Sequence, residues 1–329
     1  MQVSPHVRAV QVPDENPMHP QFTNIYVVEG ERRLVIDSGE AMDRYKWMLR
    51  GYLAATGTET ASMLAITHHH FDHAGNLEWA NETLKTSIAL PQSAVKLLKG
   101  KLPKDERVLH ILEDGEVIDL GGVQVRVIFT PGHTVDSVCY YIEAEGVLFT
   151  GDTMLGGSTT TVSDLAAYRK SLQTLADLPG LETICPGHGP IMSGARQRIL
   201  DLLAHREGRD RQIFAALSES SEPVAAWDIM LKVYPDLDKR LRRAATGNVV
   251  THLKAMQAVG SLREQPGKPR KPNSSKLAKE REKAKQRAKL IKDAEKARVE
   301  ERKERMRAQE TPPDDQWVVP PKFELLNRN

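Results

Sequence analysis

The sequence predicts a mixed α/β domain, followed by a smaller helical unit and a charged C-terminal segment. Short apolar runs alternate with helical patterns through residues 1–195, which is typical of a mixed α/β domain. Apolar positions then recur at helical spacing over residues 196–264. From about residue 265 the composition changes to a proline-containing linker and a run of alternating basic and acidic residues. The predicted domains are therefore residues 1–195, 196–264 and 265–329.

Composition excludes several classes of protein. Hydrophobic residues make up 40% of the 329 residues, which is enough for a sizeable core. No apolar run approaches the roughly 18 residues of a membrane span, and residues 1–20 lack the long apolar core of a signal peptide. The two cysteines, Cys139 and Cys185, are too few for a disulfide scaffold. We therefore expect a cytoplasmic protein with no membrane contact.

The most informative motif is the pattern His-x-His-x-Asp-His at residues 68–73, directly after an apolar run that predicts a buried strand. His68 and His70 are two residues apart and can point the same way. Asp72 and His73 follow the bend and can face the same cavity from the other side. Imidazole and carboxylate groups suit zinc or a similar first-row metal. The alternative for this cluster alone is a solvated histidine-rich loop.

Three further polar turns follow predicted strands. They contain His133 in Pro-Gly-His-Thr, Asp152 in Gly-Asp-Thr, and His188 in Pro-Gly-His-Gly-Pro. Each turn is a weak signal alone, because a Gly-His turn is more often only a turn. Four such motifs in this order, all at strand ends, are strong together and predict one metal centre.

These motifs, with Val-Ile-Asp-Ser-Gly at residues 35–39, resemble those of the metallo-β-lactamase superfamily over residues 1–195. The resemblance implies an αββα sandwich of four layers, with metal ions in a cleft at one edge. It assigns His68, His70 and His133 to the first metal, Asp72, His73 and His188 to the second, and Asp152 to both.

The implied cofactor is a pair of divalent ions, with zinc expected and manganese and iron as alternatives. Two dications about 3.5–4 Å apart repel each other, so an anionic bridge such as Asp152 is needed. A shared water whose pKa falls toward about 7 would supply hydroxide as the nucleophile. Asp72 and His188 are the predicted catalytic residues, and Asp72 would orient the water or carry its proton. Asp37 either supports the histidine loop or only forms a turn.

The remaining histidines are not predicted as ligands. His69 lies between two ligands, so alternation turns it away from the metals. The others have no comparable context and are interpreted as ordinary surface or core residues: His6, His19, His110, His205 and His252.

Differences between this sequence and known relatives reduce the number of reactions that it is expected to catalyse. The best-known lactam-hydrolysing zinc enzymes carry cysteine where Asp152 stands, and flavo-diiron proteins carry glutamate where His70 stands. Nucleases of the β-CASP type insert a large domain between the motifs of Asp152 and His188, which are separated here by only 35 residues. The sequence therefore predicts a compact two-metal hydrolase.

The segments beyond the metal motifs add a helix, a loop and a second domain. Helical periodicity over residues 162–178 predicts a helix that packs on the sandwich. The glycine-rich loop at residues 155–161 either contacts substrate or only connects.

Three helical patterns and a short strand within residues 196–264 resemble a winged helix. This combination is similar to the β-lactamase-like protein 2 family, which includes an endoribonuclease acting on single-stranded RNA. We infer no DNA binding from the third helix.

The charged segment is strongly basic and predicts a long helix or a disordered tail. Residues 268–307 contain 17 basic and seven acidic residues, whereas the whole chain carries a net charge of +2. An acidic body therefore carries a basic arm, which would attract phosphates. The alternative is a solvated tail that binds nothing. The apolar segment at residues 317–326 either docks on the body or a partner or is inert.

Three functions remain open. The first is a metal-dependent phosphodiesterase, most simply an endoribonuclease that binds RNA through the basic tail. The second is a thioesterase of the acyl-glutathione hydrolase type, which acts on a small-molecule thioester. The third is a non-catalytic nucleic-acid-binding protein, against which the complete ligand set argues. The added domain and the basic arm favour the first, and the sequence predicts no oligomeric state.

Overall fold

The first of two compact units, residues 1–206, is built on two six-stranded sheets. The computed structural model describes residues 1–14, 16, 19, 21–57, 60–269, 317–319 and 322–325. The strands of the first sheet are β1 (Val7–Pro13), β2 (Phe22–Glu29), β3 (Arg33–Ile36), β4 (Met63–Ala65), β5 (Ser87–Pro91) and β6 (Leu109–Leu112). They lie in sequence order, antiparallel from β1 to β3 and parallel from β3 to β6.

The second sheet follows along the chain. Its strands are β7 (Val117–Asp119), β8 (Gln124–Phe129), β9 (Val138–Ile142), β10 (Val147–Gly151), β11 (Thr183–Pro186) and β12 (Met192–Ser193). They also lie in sequence order. Only the pair β10–β11 is parallel, because a crossover connection that contains a helix joins these two strands.

Helices cover the outer faces of the two sheets. The helices of this unit are α1 (Asp43–Ala55), α2 (Phe71–Ala74), α3 (Leu77–Leu84), α4 (Gln92–Leu97), α5 (Leu165–Ala176) and the beginning of α6 (Ala195–Ser218). Alternation within β2 shows how the layers are made. Tyr26 and Val28 belong to the core between the sheets, whereas Ile25 and Val27 pack with residues of α1, α3 and α4. The predicted αββα sandwich is confirmed, as is the helix predicted within residues 162–178.

The second unit, residues 207–329, has the helices and strand predicted for a winged helix. Its elements are the end of α6 (Ala195–Ser218), β13 (Val224–Ala225), α7 (Ala226–Val233), α8 (Arg242–Ala258) and β14 (Leu262–Gln265). Helix α8 begins six residues before the predicted start of the third helical pattern at Asn248. Asp238 explains this earlier start, because its side chain caps a short 3₁₀ turn at Lys239–Leu241 that leads into the helix.

Residues beyond 264 add one strand to the three-stranded sheet of this second unit and form a separate two-stranded sheet. Strand β15 (Lys268–Pro269) pairs with β16 (Trp317–Val319), and β17 (Lys322–Leu325) lies between β13 and β14. The sequence placed these residues in a linker and tail and left docking on the body as one option. Phe323 is 2% exposed and packs in the same core as Ile229 and Val249. The charged run predicted as a helix or disordered tail lies mostly outside the described residues.

Among the described helices, none combines the length and the apolar character that crossing a membrane would require.

Phe323→Ala tests whether the C-terminal strand is part of the second unit. Truncating a buried phenylalanine removes apolar burial and leaves a cavity, so we expect a loss of about 3–5 kcal/mol in the free energy of unfolding of this unit. Chemical denaturation followed by circular dichroism measures the change. Phe214→Ala is the matched control, because Phe214 is 46% exposed in the same unit and its loss should change stability little. Equal effects of the two substitutions would contradict the assignment.

Candidate metal centre

The predicted ligands lie on loops that follow strands of both sheets. His68 and His70 come after β4, and α2 then carries Asp72 and His73. In the second sheet His133 follows β8, Asp152 follows β10, and His188 follows β11. The loop and short helix after β4 deliver four side chains, and each of the three strand ends in the second sheet delivers one. The centre forms where these ends meet.

The structure brings all seven predicted ligands together in two groups. One nitrogen or carboxylate oxygen from each member of a group lies within 4.8 Å of those of the other members. The first group contains His68, His70, His133 and Asp152, and the second contains Asp72, His73 and His188. These groups match the two metal sites implied by the sequence motifs, and metal binding by them stays a prediction.

Asp152 lies between the two groups. Its Oδ1 atom is 3.3 Å from His73 Nε2 and 3.5 Å from His188 Nε2, both in the second group. Its Oδ2 atom is 3.8 Å from His133 Nε2 in the first group. Each oxygen thus faces a different set of imidazoles, which is the arrangement that a bridging carboxylate requires.

Ring nitrogens also converge within each group. His133 Nε2 lies 3.1 Å from His70 Nδ1, and His73 Nε2 lies 3.1 Å from His188 Nε2. Ligand atoms about 2.0–2.1 Å from one zinc ion are separated by similar distances in a tetrahedral site. His68 Nε2 is buried, and no hydrogen-bond partner for it exists within the described residues. A cation would satisfy this atom, so the donor set fits divalent metals.

Electrostatics favours the protonation states that bind metals. Burial, reinforced by neighbouring His133, lowers the pKa of His70 to about 4. Burial and the nearby His73 hold the pKa of His68 well below its usual value. Burial alone would raise the pKa of Asp152, but the imidazoles of His188 and His73 outweigh it and hold this pKa well below its usual range. Neutral imidazoles and ionised carboxylates are the forms that coordinate metal ions.

His73 is the exception within the centre. Burial would lower its pKa, but the carboxylates of Asp152 and Asp37 outweigh burial and raise the pKa well above the usual value. A proton on this ring supplies positive charge between two carboxylates. A bound cation would supply the same charge, so the raised pKa is consistent with a site that needs positive charge.

Asp37 supports the histidine loop through three contacts. Thr67 donates to Asp37 Oδ1 from its backbone nitrogen at 2.7 Å and to Oδ2 from its hydroxyl at 2.9 Å. His73 Nδ1 lies 2.7 Å from the same Oδ2 atom. A carboxylate that accepts from the ring nitrogen facing away from the metal fixes both the tautomer and the orientation of the ring.

Contacts at Nδ1 hold His133 and His188 in a similar way. His133 Nδ1 lies 2.7 Å from the carbonyl oxygen of Thr161, in the glycine-rich loop that follows Asp152. His188 Nδ1 lies 3.0 Å from the hydroxyl of Thr23 at the start of β2. Both contacts leave Nε2 of each ring directed toward the other predicted ligands.

Most of the other histidines lie outside the centre, as predicted. His69 turns away from the two groups, and its Nδ1 atom lies 2.7 Å from Asp136. His6 and His110 pair instead with Glu145 and Glu116. Both cysteines are free and buried, and burial raises the pKa of the Cys139 thiol to about 12, which suits the non-catalytic interpretation of these residues.

The interpretation of His19 as an ordinary histidine is wrong. Its ring stacks on His188 with the centroids 3.8 Å apart, and its Nε2 atom lies 3.0 Å from Asp72. Its Nδ1 atom lies 2.7 Å from Asp14. Burial would lower the pKa of His19, but the two carboxylates outweigh it and raise the pKa to about 9. No sequence pattern links this isolated histidine to residues more than fifty positions away.

Comparison with known proteins identifies the family. The sequence-family model of the metallo-beta-lactamase superfamily matches residues 19–188. The sequence-family model of the beta-lactamase-associated winged helix domain matches residues 225–268. The chain belongs to the metallo-beta-lactamase superfamily and combines its hydrolase fold with a C-terminal winged helix. The substrate does not follow from this membership.

Individual relatives support the same conclusion. A beta-lactamase-like protein 2 homolog from Caenorhabditis elegans is 33% identical over 244 residues, 73% of this chain and 80% of that protein. An atrochrysone carboxyl ACP thioesterase from Aspergillus fumigatus is 34% identical over 64% of this chain, and the match spans only 65% of that relative's length. A metallo-beta-lactamase family protein from Thermus thermophilus is 25% identical, with a TM-score of 0.65 over 80% of this chain and 96% of that one.

Proposed function

We propose that this hydrolase is a metal-dependent phosphodiesterase that cleaves single-stranded RNA. The observation that carries the proposal is the basic excess of residues 268–307, with 17 basic and seven acidic side chains. Basic residues already outnumber acidic ones by seven to one over residues 239–268. Such a concentration of positive charge attracts a polyanion. It does not attract a small neutral substrate in the same way. The beta-lactamase-like protein 2 homolog matches 80% of its own length to this chain, which supports a shared domain arrangement.

The proposed centre contains His68, His70 and His133 on one side, Asp72, His73 and His188 on the other, and Asp152 between them. When bound, two divalent cations supply Lewis acidity and a water activated for attack, as in other two-metal sites that hydrolyse phosphodiesters. Zinc suits the ligand set, and manganese and iron are alternatives.

Asp72 and His188 are the proposed catalytic pair. Burial would raise the pKa of Asp72, but hydrogen bonds with His188 and His19 outweigh it and keep the carboxylate ionised. Asp72 Oδ2 lies 3.4 Å from His188 Nε2. An ionised carboxylate at this position accepts a hydrogen bond from the attacking water and orients it. Ser158 and Thr159 are exposed in the glycine-rich loop and can donate to phosphate oxygens.

A thioesterase is the second candidate, because two exposed apolar side chains flank predicted ligands. Phe71 lies between His70 and Asp72 and is 37% exposed, and Val135 follows His133 by two positions and is 68% exposed. An apolar rim suits an acyl group, and the Aspergillus fumigatus relative is named as a thioesterase. The water activated at the same centre would then attack the carbonyl carbon of a thioester in place of a phosphorus atom.

A side-by-side assay of the purified full-length protein separates the two candidates. We expect cleavage of a labelled single-stranded RNA, suppression by a chelator, recovery on adding zinc or manganese, and weaker binding as salt rises. An S-acyl-glutathione thioester should be turned over slowly. Rapid, chelator-sensitive turnover of the thioester with intact RNA would replace the first candidate with the second.

Replacing residues 270–316 with an uncharged glycine-serine segment of the same length tests the role of the basic region. This replacement keeps Lys322–Leu325, which the second unit needs for its sheet. We expect the apparent affinity for RNA at low salt to fall by about tenfold or more, because fewer counterions are released on binding. Turnover of a small chromogenic phosphodiester should not change. Equal RNA affinity in the two proteins would remove the basic region from the proposal.

A further inference from the structure

His19 lies at the edge of the metal centre, although it is isolated in the sequence between β1 and β2. Its side chain is 14% exposed, and the carboxylates on either side are more buried still, at 4% for Asp14 and 9% for Asp72. A partly buried histidine between two carboxylates of low exposure is costly unless each group is hydrogen-bonded. The hydrogen bonds of His19 must therefore offset the cost of its burial.

Both ring nitrogens of His19 face carboxylate oxygens. Nδ1 lies 2.7 Å from Asp14 Oδ2, and Nε2 lies 3.0 Å from Asp72 Oδ2. Nε2 also lies 3.4 Å from Asn16 Nδ2. A carboxylate accepts the hydrogen bond that a ring N–H directs at it. Hydrogen bonds to an ionised carboxylate are roughly twice as strong as neutral ones and hold both partners in a defined geometry.

Asp14 is anchored to the same centre by a second route. The hydroxyl of Thr23 donates to Asp14 Oδ2 at 3.0 Å and lies 3.0 Å from His188 Nδ1. His19 and Thr23 therefore connect one carboxylate, Asp14, to two predicted ligands of the second metal. Asp14 and Thr23 are separated by only nine positions, so the short stretch from the end of β1 to the start of β2 supplies the whole connection.

Asp14, His19 and His188 also offer ligand atoms within 4.8 Å of one another, but the stacking of the two rings disfavours their coordinating one ion together. The two rings are 3.8 Å apart and only 8° from parallel. Imidazole binds metals through a lone pair in the plane of the ring. Lone pairs in two parallel, stacked planes cannot both point at one ion about 2.0–2.1 Å away. His19 is thus suited to hold ligands and not to be one.

We propose that His19 is a positioning residue for the second metal site, where it fixes Asp72 by a hydrogen bond and His188 by stacking, with Asp14 as its own anchor. The proposal rests on the two-metal centre of the proposed function and not on the choice of RNA as substrate. Outer hydrogen-bond partners of metal ligands orient those ligands, and their loss typically weakens metal affinity about 10–100-fold.

Metal titration of the apoprotein tests the proposal. We expect His19→Ala to weaken the second equivalent of zinc about 10–100-fold, while the first equivalent binds as in the wild type. Competition with a chromophoric chelator measures both affinities, and elemental analysis gives the stoichiometry. His19→Gln keeps an N–H donor and should recover part of the affinity. His110→Ala is the matched control, because His110 pairs with Glu116 outside the centre.

The double variant Asp14→Ala with His19→Ala checks the anchor. Asp14 also reaches His188 through Thr23, so the double variant should bind the second zinc more weakly than His19→Ala alone. The additional loss should be smaller than the loss that Asp14→Ala causes in the wild-type protein, because part of that loss passes through His19. A His19→Ala protein that takes up two equivalents with wild-type affinities would overturn the proposal and leave the proposed function intact. A wild-type protein that takes up fewer than two equivalents would overturn both. Equal weakening of both equivalents would also overturn it, because a general loss of structure explains that result.

Discussion

Asp152→Ala is expected to abolish hydrolysis and to reduce the metal content. The carboxylate places one oxygen against His73 and His188 and the other against His133, so its loss removes the only anionic contact between the two predicted sites among the described residues. Bound cations contribute several kcal/mol to a transition state, and about 1.4 kcal/mol corresponds to tenfold in rate. We therefore expect activity to fall about 10³-fold or more, measured by initial rates and elemental analysis.

The control for Asp152→Ala is Asp201→Ala. Asp201 is exposed on α6, so its removal changes the charge of the protein by the same amount without touching the centre. Its activity and metal content should match the wild type. Full activity and full metal content in Asp152→Ala would show that the two groups of ligands do not work as one dinuclear centre.

The sequence predicted that these seven side chains lie close together, because their motifs follow predicted strands. Their division between two metals came from the family resemblance and stays a prediction. An apolar run locates the strand, and a polar residue directly after it must lie at an edge of the sheet. Asp152 after β10 and His188 after β11 are examples, since the parallel pairing of these strands places their ends side by side. The spacing of His68 and His70 then gives the direction of their side chains. Local patterns were sufficient to bring these residues together because the motifs and the strand ends coincide.

Other parts of the structure depend on contacts between distant residues. His19 and Asp72 are 53 positions apart, and no periodicity or turn links them. Strand β17 pairs with β13 and β14 after a long charged stretch, so its apolar residues looked equally suited to docking or to no contact. The pairing of strands that lie far apart in the sequence is determined by tertiary packing. A single sequence contains no local pattern that reports this packing.

The largest effect expected outside the ligands themselves comes from Gly187→Ala. A Cβ atom on Gly187 would lie 2.6 Å from His73 Cε1 and 2.7 Å from Asp152 Oδ1, closer than real Cβ contacts occur. The added methyl group must therefore displace one ligand of the second group or the bridging carboxylate. A displacement of about 1 Å can cost roughly 10²-fold in rate, and overpacking costs about 1–3 kcal/mol of stability. Initial rates, zinc affinity and thermal denaturation measure the three effects.

Gly51→Ala distinguishes this steric effect from a general cost of replacing glycine. A Cβ atom on Gly51 meets nothing within 4 Å in the exposed part of α1. Alanine should stabilise that helix by roughly 0.5–1 kcal/mol, because glycine loses more backbone freedom on folding. Since the two substitutions add the same methyl group, the difference in activity between them reports the space around His73 and Asp152. Equal activities would mean that the centre tolerates a shift of its bridging ligand, which a dinuclear site held by Asp152 does not allow.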